Sequence, residues 1–567
     1  MKIDSGKILF ESEDDLPPVA MSLANTAWNQ TGSWKYLEPY YQDLTPPCVA
    51  GCQAGNDIVT FMRLIEEGRL EEAARGVLQN NPFPASLGRV CPHPCENVCN
   101  RKEMGGEIAI QSAERFLGDY AIRQGLLPSC APSNSKRVIV VGAGPAGLAA
   151  AYFLRILGYD VTVIDSEDRP GGLLWSGIPP YRLPRKVLEH EIQRFHKMGI
   201  GFEFNTRLGE KRTLDELRSR SAAVVLGIGL GRSRTLGVPG EDHPQVIDGI
   251  HLLKQLHLGK YPVTGGRVAV IGGGNTALDC ARSLLRHGHD VTIYYRRSLN
   301  EMPAFDEEIK EALEEGVKIE ILTLPTRVLI EDGKCTGLEL IRMTLLDKDD
   351  KGRAIPARIE GSEFTVNADL VVKALGETLA NDFASPVLSE GGAVRTAECQ
   401  TAIPEVFACG DCLGNGGTVA HAVRSGREAA SAVDAFVQGI KFHVPDALEQ
   451  RKASQEIAEF DQFNRNYFSV EYRAFSPVIR SPKERKADFS EIQGSLSEAR
   501  VLQEAARCFK CGTCTQCDNC RIYCPDAAIV RQNGKYRVLD QYCKGCMVCV
   551  EECPRSAIHL RKVEVQL

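Results

Sequence analysis

Two cysteine runs near the end of the chain constrain it most. Cys514-x2-Cys517-x2-Cys520-x3-Cys524-Pro525 is followed by Cys543-x2-Cys546-x2-Cys549-x3-Cys553-Pro554. This doubled, proline-ended spacing is that of a small module folded around two [4Fe-4S] clusters, in which the fourth cysteine of each run ligates the other cluster. It predicts one ligand set of Cys514, Cys517, Cys520 and Cys553, and a second of Cys543, Cys546, Cys549 and Cys524. A zinc module is the competing reading, but zinc closes on four ligands and has no need of the doubled pattern. Cys508 and Cys511 extend the run upstream without a partner set and receive no assignment.

The remaining cysteines are unevenly spread. Of 21 in 567 residues, six lie before residue 131 and five in the long middle. A large chain that begins without a charged-then-apolar leader and gathers thiols at its two ends reads as a cytoplasmic protein with metal or redox sites, not as a disulfide scaffold. Lys+Arg 67 against Asp+Glu 74 gives a net charge of −7, which argues against nucleic-acid binding. A hydrophobic content of 43% argues against disorder, and no apolar run is long enough to predict a membrane span.

The middle repeats a strand, a glycine-rich loop, a helix and a second strand twice, which predicts an α/β architecture of two nested, doubly wound dinucleotide-binding domains. The first loop is Gly142-Ala-Gly144-Pro145-Ala146-Gly147, and the strand after its helix ends at Asp165. Glycines admit a pyrophosphate, the helix N-terminus offers free N–H groups, and the acid suits a ribose. The second loop is Gly272-Gly273-Gly274-Asn275-Thr276-Ala277. Its second strand ends in Arg296 and Arg297 where the first has an acid, which fits the 2′-phosphate of NADP better than NAD. Two such loops suggest two different dinucleotides.

Downstream, a strand ends in Gly410-Asp411, and Gly416-Gly-Thr418-Val419 opens an alanine-rich helix. This resembles the second flavin motif of two-dinucleotide-binding flavoproteins. The resemblance implies FAD in the first site and NADPH in the second, with the NADPH domain inserted between two halves of the FAD domain. Cys409 and Cys412 form a C-x-x-C across this motif. A redox dithiol is one reading; packing is preferred, because Gly410-Asp411 is already committed to flavin.

The full order of motifs resembles the NADPH-dependent glutamate synthase small subunit and its relatives, among them the flavin half of dihydropyrimidine dehydrogenase and the large subunit of NADH-dependent ferredoxin:NADP oxidoreductase. The residues that carry it are Arg89-Val-Cys-Pro-His-Pro-Cys-Glu-Asn-Val-Cys99, Gly142–Gly147, Pro170-Gly-Gly-Leu-Leu174, Gly177-Ile-Pro-Pro-Tyr-Arg-Leu-Pro184, Gly272–Ala277, Tyr295-Arg-Arg-Ser298 with Glu301-Met-Pro303, and Gly410-Asp411. The match runs over roughly residues 40–440. It implies that Gly172, Leu173 and Arg182 join Asp165 at FAD, and that Ala374-Leu375-Gly376 lies beside the nicotinamide. It also implies an inner N-terminal [4Fe-4S] cluster on Cys52, Cys91, Cys95 and Glu114. Relatives carry two more cysteines before the position of Cys48; here that stretch is Tyr40-Tyr-Gln-Asp-Leu-Thr-Pro-Pro. The outer cluster of the family is therefore expected to be missing, with Cys48 and Cys99 its orphans. Five thiols with no metal is the alternative.

The expected division is a helical Fe–S domain over 1–130, an FAD domain in two halves over 131–240 and 371–440, an NADP domain over 241–370, a partly helical connector over 441–505 and a ferredoxin-like α+β domain over 506–567. The expected chemistry is hydride transfer from NADPH to flavin and single-electron passage to iron–sulfur clusters, the cofactors carrying the reaction. Three roles compete. The preferred one is an electron-transfer subunit serving a larger complex, such as a 2-oxoacid oxidoreductase or a glutamate synthase-like enzyme. The second is a stand-alone NADP(H):ferredoxin oxidoreductase. The third, a nucleotide-sensing scaffold, leaves the clusters without a purpose.

Overall fold

The computed structural model describes residues 2–4, 7–9, 12, 14, 30–260, 266–348, 352–380, 393–414, 417–442, 456–473, 475 and 478–563. Most of the N-terminal arm and Gly416 lie outside these residues.

Two five-stranded parallel sheets form the centre. The first runs in the order Val406–Ala408, Ala223–Leu226, Arg137–Val141, Asp160–Ile164, Gly201–Glu203. The second runs Lys318–Ile321, Asp290–Tyr295, Arg267–Ile271, Leu370–Lys373, Val246–Asp248. Val138–Val141 and Val268–Ile271 are buried throughout, as continuous apolar runs are when helices cover both faces of a parallel sheet. The strand Val406–Ala408 returns to the first sheet after the whole of the second has been built. Its helix, Val419–Gln438, packs on Pro145–Ile156 at close range. A Cβ on Gly426 would stand 2.3 Å from the carbonyl oxygen of Ala146, so only glycine permits this approach.

The second sheet carries an addition that the repeat pattern did not announce. Thr323–Glu331 and Lys334–Lys348 form a long antiparallel hairpin, flanked by Ala354–Arg358 and Phe364–Asn367. Its strands alternate buried and exposed residues along much of their length, the signature of one covered face.

The N-terminal region is helical, but the spacing over 55–80 resolves into two helices, Ile58–Glu66 and Leu70–Asn80. The break is at Gly68, whose φ of 71° an L-residue helix cannot accommodate. Pro84–Val90 and Ile110–Gln124 complete this unit and touch at Gly88 and Gly118, where any Cβ would collide with the partner backbone.

The ferredoxin-like module is discontinuous in sequence. Leu37–Tyr41 pairs antiparallel with Ile558–Lys562, beside the hairpin Ile529–Gln532/Lys535–Val538. Its two cysteine loops repeat each other in backbone detail: Asp518 and Met547 both take φ 67° and cap the short helices Asn519–Ile522 and Val548–Glu551. The described residues between 456 and 496 form mostly short turns. Arg485 is buried against Glu311, Glu314 and Glu315 of the second domain, and Ile492 N–H donates to the carbonyl of Tyr181. The helix Glu498–Ala506 then packs on Ile58–Glu66.

Candidate redox centre

The loop after Val141 turns at Gly142, with φ 104°, where a Cβ would stand 2.3 Å from the carbonyl oxygen of Gly227. At Gly147 a Cβ would meet the carbonyl of Gly142 at 1.9 Å, whereas Gly144 faces open space. The loop thus combines obligatory close packing with a clear surface above the N-terminus of Pro145–Ile156, the form a pyrophosphate requires. Asp165, at the end of its strand, accepts from the N–H groups of Ala143 and Glu167, which fixes the carboxylate at the rim of the loop. Gly172 lies over Gly144, and Leu173 opens the short helix Leu173–Ser176. Gly410 packs on Ala146, and its N–H donates to Ser425 Oγ at 2.9 Å. Asp411 follows it, and burial pushes its carboxyl up. Thr418 caps Val419–Gln438 by accepting from His421 N–H at 3.1 Å. The residues of the first glycine loop and those of the Gly-Asp motif therefore meet at the carboxyl end of the strands of one sheet.

Arg182 also reaches the second domain. Its guanidinium is buried between Asp279 at 2.9 Å and Glu308 at 2.8 Å, joining the loop after Leu173–Ser176 to the second domain. Charge complementarity across that junction holds the guanidinium in place.

In the second loop, Gly272 abuts the carbonyl of Ala374, and a Cβ on Gly273 would enter the ring of Tyr295. Asn275 Oδ1 accepts from Phe305 N–H, and Ala304 N–H donates to Gly273, so a following loop closes over the turn. Thr276 continues the first turn of Asn275–Arg286. Arg296 is exposed at the end of Asp290–Tyr295, while Arg297 is half-buried and donates through Nε to the carbonyl of Ala354. Ala374, Leu375 and Gly376 leave the neighbouring strand at the same sheet end.

Cys52, Cys91, Cys95 and Glu114 line one cavity. Glu114 is buried, and its Oε1 accepts from Asn56 and Asn81 at 2.8 Å each. Burial raises its carboxyl to about 7 against the pull of those two amides. Burial likewise lowers His93, beside it, to about 3, so the imidazole is neutral. The backbone N–H groups of Asn56 and His93 point at the sulfurs of Cys52 and Cys91, both at 3.4 Å. Such donors favour thiolate. Ala420, in the first turn of the helix that follows the Gly-Asp motif, forms part of the same cavity wall.

In the C-terminal module, Cys514 and Cys520 lie within electrostatic reach of Cys517 and Cys553. Cys524, Cys543, Cys546 and Cys549 line a second cavity. The fourth cysteine of each run thus stands with the other run's first three. Ala528 and Ala557 N–H donate to Cys524 and Cys553, and Tyr41 of the N-terminal strand donates its hydroxyl to Cys520 Sγ at 3.3 Å. Cys409 and Cys412 are fully buried, and burial pushes the Cys412 thiol up to about 12. Inert, core-packed thiols are the result.

Two single residues and one grouping carry no local sequence signal. Tyr41 and Gln53 lie in stretches with no motif. Cys48, Cys99, Cys508 and Cys511 surround a single cavity, though two come from each end of the chain.

Residues 136–426 match the family model described as pyridine nucleotide-disulphide oxidoreductase, and residues 41–126 match dihydropyrimidine dehydrogenase domain II, 4Fe-4S cluster. The chain is 35% identical over 505 residues to the NADP(+)-dependent formate dehydrogenase subunit beta of Moorella thermoacetica, spanning 83% of this chain and 71% of that one. It is 33% identical over 514 residues to the NADPH-Fe(3+) oxidoreductase subunit beta of Geobacter sulfurreducens, spanning 84% and 76%. It is 36% identical over 430 residues to the glutamate synthase [NADPH] small chain of Azospirillum brasilense, spanning 71% and 88%.

Proposed function

The chain belongs to the pyridine nucleotide-disulphide oxidoreductase family, and on that premise we propose that it is the NADPH-dependent electron-transfer subunit of a larger oxidoreductase. FAD, when bound, couples the two-electron chemistry of NADPH to the one-electron chemistry of iron–sulfur clusters. The chain's own residues hold, orient and seal. Gly142–Gly147 with Asp165 and Asp411 would hold FAD. Gly272–Thr276 with Arg296 would hold NADPH, and Arg297 braces the loop through Ala354. Cys52, Cys91, Cys95 and Glu114 would hold one [4Fe-4S] cluster, and the two crossed sets of the C-terminal module would hold two more.

One observation carries this reading: Ala420 belongs at once to the helix that follows the Gly-Asp motif and to the wall of the Cys52, Cys91, Cys95 and Glu114 cavity. The flavin and the first cluster would be immediate neighbours, with no polar channel needed between them. Relatives named as beta subunits or small chains favour service to a partner that carries the substrate chemistry, in preference to a stand-alone NADP(H):ferredoxin oxidoreductase.

The test is anaerobic purification from the native source, followed by titration with NADPH. FAD, iron, bleaching of both flavin and cluster absorbance, and co-purification of unlike subunits are expected. A protein free of flavin, or one whose iron is not reduced by NADPH, overturns the proposal. A lone chain that turns over ferredoxin at full rate favours the stand-alone reading.

A further inference from the structure

We propose that Cys48, Cys99, Cys508 and Cys511 ligate a further [4Fe-4S] cluster, assembled from both ends of the chain. Cys48 lies in the short helix Pro47–Gly51, and Cys99 ends the loop after Pro94–Asn97. Cys508 and Cys511 follow the helix Glu498–Ala506, which packs on Ile58–Glu66 and delivers them to the same cavity. The two thiols expected before Cys48 are absent from the sequence there, and a C-x-x-C 460 residues further on stands opposite Cys48 and Cys99.

The surroundings fit a cluster. The rest of the wall is chiefly apolar, from residues such as Val59, Met62 and Phe509, and no carboxylate or imidazole lines it. All four thiols are free of disulfides, and Cys48 and Cys511 are buried. Four sulfurs facing one largely apolar hollow are well placed as ligands, since metal binding deprotonates thiols outright. Donors and cations already stand around them. Asn100 Nδ2 lies 3.6 Å from Cys511 Sγ, and backbone N–H groups face Cys99 and Cys508. The buried guanidinium of Arg101 sits 4.6 Å from the Phe509 ring centroid, and Lys510, buried and paired with Glu66, follows it in the chain. Zinc is the rival occupant. Tetrahedral zinc with bonds of about 2.3 Å needs its sulfurs within roughly 4 Å of each other. Among the described residues no three Cys, His, Asp or Glu side chains converge closely enough to share one ion, and these four ring a hollow instead.

Position supplies the purpose, and this part rests on the electron-transfer reading. Ile58 and Ile110 line both this cavity and that of Cys52, Cys91, Cys95 and Glu114. On the other side, Cys511 precedes Cys514 of the C-terminal module by three residues. The cluster would close the gap between the flavin side and the ferredoxin-like end.

The experiment measures iron, acid-labile sulfide, zinc and FAD in the anaerobically purified full chain and in the double variant Cys508→Ser/Cys511→Ser. The parent should hold about sixteen irons per FAD, four for each of four clusters. The double variant should keep its FAD and NADPH-reducible flavin while losing about a quarter of its iron and sulfide, and Cys48→Ser should lose the same quarter. About twelve irons per FAD in the parent, a stoichiometric zinc, or unchanged iron in the variants overturns the assignment. Where the double variant yields no flavoprotein, the parent's metal content decides. Loss of FAD binding in the parent itself would instead count against the proposed function.

Discussion

The Thr418 hydroxyl donates to Gln53 Oε1 at 2.8 Å while accepting the N–H of His421, so one side chain both caps a helix and ties it to the residue after Cys52. Thr418→Ala removes a cap worth about 1 kcal/mol as well as that tie. Flavin release should begin at lower urea, and cluster reduction by NADPH should slow severalfold, while Thr418→Ser restores both. Equal behaviour of the alanine and serine variants would show that the hydroxyl does neither job.

Arg296 is exposed beside the second glycine loop, while Arg297 is tied to Ala354. Arg296→Gln should raise KM for NADPH at least tenfold and change KM for NADH less than twofold. Equal losses with both cofactors would remove the 2′-phosphate from its role.

Tyr41 donates to Cys520 Sγ across the junction of the two chain ends. Hydrogen bonds to ligand sulfur stabilise the reduced, more negative cluster and raise its potential. Tyr41→Phe should shift one cluster to more negative potential in an EPR-monitored titration and leave the other signals in place. An unaltered set of potentials would refute that coupling.

Arg282 and Glu315 are both fully buried, joined at 2.7 Å, with Arg286 on the same carboxylate and Tyr181 beneath both guanidinium groups. Glu315→Gln leaves two buried cations underpaired, and the loss should be about 3–5 kcal/mol. Differential hydrogen exchange in Asn275–Arg286 and 306–315 would measure it locally. Protection equal to the parent's would contradict the prediction.

His257 faces the helix Leu173–Ser176 with its ring nitrogens sealed from solvent; burial, then the charge of Arg185, depresses it to about 3. Between that value and about 6.5 the unfolded chain binds the proton that the folded chain refuses. This group's contribution is therefore complete above about pH 6.5 and lost as pH falls, by up to about 1.4 kcal/mol per pH unit. His257→Gln should flatten the acid limb of a denaturation curve followed by Trp175 fluorescence. An unchanged acid limb would exclude His257 as its source.

Legibility followed locality. The two glycine loops, Asp165, the Gly410-Asp411 turn and both ferredoxin runs are written in contiguous residues, because each is one turn of chain shaped by its own glycines or spacing. The antiparallel hairpin Thr323–Lys348 has no such local signature, since its alternation sits between parallel strands that suggest simple continuation. Arg182 lies among contiguous motif residues, yet its partners Asp279 and Glu308 are about a hundred residues away and only the tertiary fold introduces them. The pairing of Cys48 and Cys99 with Cys508 and Cys511 has the same character: no spacing rule connects residues separated by more than four hundred positions.

The strand Leu37–Tyr41 leaves the ribosome long before its partner Ile558–Lys562. Between Gln42 and His559, which meet in the finished molecule, the chain advances 517 positions. At about 5–20 residues per second, that strand waits on the order of a minute with an open edge. The sheet that joins Leu37–Tyr41 to the C-terminal module can close only after Ile558–Lys562 has emerged, so any ligation at the module's cysteines comes late in folding. A chain cut short before Ile558 would emerge with both parallel sheets complete and the strand Leu37–Tyr41 unpaired.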